Sequence, residues 1–161
     1  MILNNLFKNR SRPLTIWQIS DCGAGDSMTT SMQEHRRLSP DDFFTGLFAA
    51  LAEKGGTTFS LRTARFDEAV VCAYDLFERQ ASAEGYRIRF RVALHPLHGE
   101  SGVVREGITR AAQRDLVSLD NPEFQDLRLK LGPSTAPAYL ESLGSPDLYR
   151  NAARVFLEKY N

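Results

Sequence analysis

Three arginines at alternate positions, Arg87, Arg89 and Arg91, are interleaved with Tyr86, Ile88, Phe90 and Val92. On an extended chain a period of two sends the guanidinium groups to one face and the apolar side chains to the other. A row of guanidinium groups suits phosphate oxygens, because each planar fork can hold two of them. The phosphate could belong to a nucleotide or to RNA; the plainer role of such a face is solvation, or pairing with a neighbour's acids. Further on, His95 and His98 stand three apart around Pro96. Two histidines without a cysteine or a third ligand make a weak metal pair, and a turn histidine bonded to backbone is the plainer reading. "DCGAGDS", residues 21–27, has the small residues of a phosphate loop. It fits neither GxxxxGK[ST] nor GxGxxG, and it holds no lysine. Ser27, Thr29, Thr30 and Ser31 come without a GxSxG turn, and Cys22 lacks a helix start or basic neighbour to activate it.

These groups need elements to position them. Residues 14–19, "LTIWQI", are β-branched and aromatic and predict a buried strand. Residues 21–38 have no period and predict a loop. Ser39-Pro40-Asp41-Asp42 starts a helix: Ser39 can cap, Pro40 suits the first turn, and the acids favour the positive helix end. Phe43, Phe44, Leu47, Phe48 and Leu51 give it a wide apolar stripe, and Gly55-Gly56 ends it. Residues 57–66 are a weaker strand candidate, and Asp67 opens a second helix that stops near Gly85. Residues 86–94 carry the clearest period of two. A turn follows at residues 95–99, Gly102, Val103 and Val104 suggest a short return strand, and residues 108–119 resume helical spacing. Residues 126–131, "DLRLKL", predict a short edge strand, and residues 137–143 a short helix. Ser145-Pro146-Asp147 then repeats the earlier start and leads a final helix to about Tyr160. Strands interleaved with helices predict an α/β or α+β domain with helices on one face of the sheet.

The 161 residues suit a single domain, 1–161. Basic and acidic residues balance at 20 each, so no overall field favours nucleic acid or an anionic membrane, although local basic patches remain open. Cys22 and Cys72 belong to no CxxC pair and read as free thiols. The first residues lack a continuous apolar segment of the signal-peptide kind, and no apolar run is long enough to span a bilayer. The expected location is the cytoplasm.

Several segments, in order, resemble the catalytic domain of the class III nucleotide cyclases, the adenylate and guanylate cyclases. "RIRFRVALHPLHGESGVV" followed by "GITRAAQRDL" is similar to that family's strand ending in His, glycine-containing return and helix with an Asn-x-Ala-Ala-Arg-like core. "LAEKGGTTF" resembles its helix end, Gly-Gly and second strand. "RFDEAVVCAYDLFERQ" resembles the helix after its metal hairpin, and "LTIWQISDCGAG" its first strand and metal-binding turn. The resemblance covers about residues 14–118. It implies a ferredoxin-like core, with residues 119–161 as a divergent helical extension.

The resemblance also implies a chemistry and a departure from it. The family's cyclisation uses two carboxylates holding Mg²⁺ or Mn²⁺, an Asn for the ribose and an Arg for phosphate charge, assembled between two chains. The first carboxylate corresponds to Asp21, one residue beyond the matching position, with Asp26 a weaker candidate. The second has no counterpart, because no Asp or Glu lies between Gly56 and Phe66. The Asn position holds Thr109 and the Arg position Gln113, with Arg110 and Arg114 nearby but rotated about 100° per residue around a helix. The implied protein has lost standard cyclisation and acts as a nucleotide-binding, dimerising or regulatory module. Its nucleotide contacts are Arg89, Arg91, Thr109, Arg110 and Gln113, and its partner is a second cyclase-like chain or its own copy. Two alternatives stay open: an active cyclase with a rebuilt metal site or one completed by a partner chain, and a pure interaction domain.

Overall fold

The most apolar stretch of the chain becomes its central helix. Helix α1 (Pro40–Glu53) starts at a reciprocal cap: the Ser39 side chain accepts from Asp42 N–H, and the Asp42 carboxylate accepts from Ser39 N–H at 2.8 Å. Phe43 to Ala52 are all buried. The sequence predicts a stripe, but a helix apolar all round has no solvent face. Helices α3 (Gly102–Gln113), α4 (Ala136–Leu143) and α5 (Pro146–Tyr160) pack against α1, and α2 (Arg65–Ala83) lies along α5. Two glycines permit the closest approaches. A Cβ on Gly46 would meet the Tyr149 ring at 2.1 Å, and one on Gly107 the Phe44 ring at 2.3 Å.

The computed structural model describes residues 36–119 and 125–161, which fall in one compact unit, Glu34–Asn161. Aromatic rings run through its core. Phe43 lies 5.0 Å from Phe77 and 5.4 Å from Tyr74, and Phe77 lies 5.3 Å from Tyr149. Phe156 lies 5.3 Å from both Phe59 and Phe66. Burying each such ring contributes roughly 2–3 kcal/mol, so α5 closes this core and is more than an appendage to it.

The described strands form two small sheets. β1 (Arg37–Leu38) and β3 (Arg87–Ile88) pair in parallel. β2 (Thr58–Ser60), β5 (Asp126–Leu129) and β4 (Val117–Ser118) form an antiparallel sheet in the order β2-β5-β4. The class is α+β.

Several sequence expectations are corrected here. Residues 126–129 are the central strand of their sheet, not an edge, because β2 and β4 flank them. Gly102, Val103 and Val104 form the first turn of α3, not a return strand: Ser101 caps it, accepting from Val104 N–H at 3.4 Å. That helix ends at Gln113, where Asp115 adopts φ 60° and frees Val117 for the sheet. Of residues 57–66 only Thr58–Ser60 is strand, and α2 starts before Asp67. Of the loop expected over 21–38, residues 21–35 lie outside the described residues, and Arg37–Leu38 is strand β1. The strand expected at 14–19 lies outside the described residues.

Candidate functional site

The arginine row of residues 86–94 keeps its predicted faces although only Arg87–Ile88 is paired as strand. Arg87, Arg89 and Arg91 are exposed, Val92 is buried, and Ile88 and Phe90 are partly buried. Two contacts fix this phase. The Phe90 ring packs 5.3 Å from Tyr74 and 6.3 Å from Phe43, and the Tyr74 hydroxyl donates to Phe90 C=O. Burial and the neighbouring Glu78 push the Tyr74 phenol well above its ordinary value, against the opposing charge of Arg91. Tyr74 therefore stays a neutral donor. At the near end the Tyr86 hydroxyl shares a 2.8 Å hydrogen bond with Ser145 Oγ.

β1 adds a fourth arginine that sequence reasoning missed. Arg87 N–H donates to Arg36 C=O at 3.1 Å, and the register sets exposed Arg37 beside Arg87. Like charges directly opposite on neighbouring strands are destabilising. No carboxylate relieves this pair: Arg37, Arg87, Arg89 and Arg91 form no ion pair among the described residues. The only sequence signal for Arg37 was its basic character, since its strand partner lies fifty positions away.

The other candidates stand on α3 and are engaged differently. Arg110 is paired with Asp41 at 3.2 Å and with Glu106, and those acids raise its already high affinity for the proton. Exposed Thr109 donates its hydroxyl to Arg105 C=O at 2.9 Å. Gln113 is exposed, and Arg114 donates to Thr45 Oγ1 at 3.1 Å. Arg89 and Arg91 thus share the arginine ribbon, while Thr109, Arg110 and Gln113 share α3. No described hydrogen bond or ion pair joins the two groups.

Asp21 and Asp26, the expected metal ligands, lie outside the described residues. No cluster of three or more His, Cys, Asp or Glu side chains suited to a metal occurs among the described residues. Residues 57–65, where the resemblance would put a second metal hairpin, hold β2 and the turn into α2, without a carboxylate. These residues do not fit the two-metal pattern. His95 Nδ1 accepts from Leu97 N–H at 3.3 Å, and its ring stacks on His98 at 4.8 Å.

Two further features had no place in the sequence reading. Asp67 is buried, accepts from Ser101 N–H at 3.2 Å, and lies 3.6 Å from Arg105. Its carboxyl is raised above the ordinary value because burial outweighs that hydrogen bond and the Arg105 charge. It clasps the start of α2 to the cap of α3. An open depression of about 620 Å³ lies beside the start of α2, with Arg62, Arg65 and Tyr160 on its walls; Glu68 gives it mixed charge. No described helix is long and apolar enough to cross a membrane, and Cys72 is a free thiol.

Compared with known proteins, this chain matches no family model, no curated protein and no solved structure.

Proposed function

We propose that this chain is a binding module for a phosphate-bearing ligand, derived from the ferredoxin-like class III cyclase domain and without standard cyclisation. The observation that carries the reading is the arginine row, which forms no ion pair among the described residues. Arg37, Arg87, Arg89 and Arg91 present guanidinium forks to solvent, with like charges side by side on β1 and β3. An anionic ligand relieves that repulsion and accepts bidentate hydrogen bonds. Arg89 and Arg91 are the primary nucleotide contacts; Arg110, held by Asp41 and Glu106, is secondary, with Thr109 and Gln113 beside it. A dimer with its own copy or a cyclase-like chain belongs to the same reading.

Isothermal titration with ATP and GTP, with and without Mn²⁺, tests it, followed by product analysis of the same samples. The expected result is binding without cyclic product, abolished in Arg89→Glu/Arg91→Glu with unchanged helical circular dichroism. Cyclic product would restore the catalytic alternative. Equal binding by the double variant would move the ligand off the ribbon.

A further inference from the structure

The arginine ribbon has a length and a spacing that select among phosphate ligands. We infer that its ligand is a single strand of nucleic acid, bound through successive phosphodiesters without regard to sequence. This rests on the phosphate-ligand reading above.

Arg87 lies in β3, and exposure alternates from Arg87 through Arg89 to Arg91, the pattern of same-face positions on an extended chain. Each step between them spans about 6.6 Å, so the row reaches about 13 Å. The phosphates of a nucleoside triphosphate share bridging oxygens and sit much closer together than one such step. A triphosphate would engage one end of the row and leave the other arginines unmatched. Successive phosphodiesters are separated by a sugar, and in an extended strand they repeat at a distance close to two residues of β-chain. Arg37 lies opposite Arg87 on the neighbouring strand, about 4.8 Å away across the pair, and doubles the charge at one end.

The ribbon's own charges are of one sign, and at its Arg91 end the acids Glu78 and Asp75 stand on α2 beside Tyr74. Residues 85–99 contain no Asp or Glu, and neither do residues 35–40. The balanced composition argues against nucleic acid only as a property of the entire chain; the local field is what a polyanion meets. The exposed groups of the ribbon are guanidinium forks spaced along one line, which suits contact to successive phosphates, and such contacts position a strand without reading its sequence.

Fluorescence anisotropy of the full chain with labelled oligothymidine of about ten nucleotides, over a series of salt concentrations, tests the inference. Affinity should fall with salt with a log–log slope of about −0.7 per phosphate contacted, so about −2.8 for four contacts. Arg89→Ala should flatten the slope by about 0.7 and Arg89→Ala/Arg91→Ala by about 1.4. Arg154→Ala, on α5 and paired with Glu158, should leave it unchanged. ATP binding at the ribbon without oligonucleotide binding would overturn the single strand and leave the phosphate-ligand reading standing. Binding of neither would overturn both. Tighter binding of a duplex, or equal binding of polyglutamate, would replace the single strand by a double helix or an acidic protein surface.

Discussion

The chain writes Ser-Pro-Asp twice at the start of a helix, and the two copies fold differently. At Ser39 the backbone is extended, with φ −95°, and the side chain caps α1 in a reciprocal box with Asp42. At Ser145 the backbone is left-handed, with φ 47°, and the side chain makes no cap; it bonds to Tyr86. The preceding residues differ as well. Leu38 ends a strand, whereas Gly144 has φ 70° and reverses the chain. Four residues past Ser145, the Tyr149 hydroxyl is buried without a hydrogen-bond partner among the described residues, and burial holds it well above its ordinary value. Local sequence proposes a cap, and a tertiary partner can take the capping oxygen away. The start of α1 is held locally; the start of α5 is held by what it packs on.

The largest test of that difference is at the contact between the two helices. Gly46→Ala pushes a methyl into the Tyr149 ring, where both residues are buried. It should lower stability by about 3 kcal/mol in urea unfolding, the upper part of the overpacking range. Ser39→Ala removes the local cap and should lower stability by about 1 kcal/mol; no loss would mean that α1 too is held by packing alone.

The next effect is in pH. Glu53, in the last turn of α1, takes two 2.9 Å bonds from Arg150 of α5, which hold its carboxyl below the ordinary 4.5. A depressed carboxyl stabilises the fold above 4.5, and that stability disappears as pH falls through the folded value. Glu53→Gln should therefore lower stability by about 0.5 kcal/mol at neutral pH and by nothing once the carboxyl is protonated, since both side chains are partly exposed. Asp67 runs the other way. Its raised carboxyl favours the fold below 3.8, and that contribution is lost as pH rises through the folded value. Asp67→Asn keeps an acceptor for Ser101 N–H and should be no less stable than the native chain at neutral pH. A clear loss in thermal melts would show that the Arg105 pair outweighs burial.

The smallest effect concerns Ser145 itself. Ser145→Ala loses the Tyr86 bond and keeps the left-handed strain. Ser145→Gly loses the same bond and relieves the strain, so it should exceed the alanine variant by about 0.5 kcal/mol in the same unfolding experiment.

Elements with a local signature were legible. α1, α4 and α5 announce themselves by Pro near the start and apolar residues at helical spacing. The period of two over residues 86–94 gave the faces of Arg89 and Arg91 correctly, because alternation records burial even where no strand partner occurs among the described residues. Strand pairing was not legible. β1 and β4 have two residues each, too few to show a period, and nothing local makes Asp126–Leu129 a central strand. At Gly102, Val103 and Val104 the β-branched residues suggested a strand, while the cap offered by Ser101 decided for helix. Of the site, Arg37 was invisible because its neighbour Arg87 comes from register alone. Asp21 and Asp26 stay with the sequence reading.

The last helix also bears on how the chain is made. Phe59 and Phe66 meet Phe156, and Phe77 meets Tyr149, so the aromatic core takes rings from both early and late in the chain. During synthesis Phe43, Phe44, Leu47 and Phe48 leave the ribosome long before Pro146–Tyr160 exists to cover them. This unit cannot complete its core piece by piece as it emerges. Until α5 has been made, that apolar surface lacks its cover, the condition under which partly folded chains aggregate.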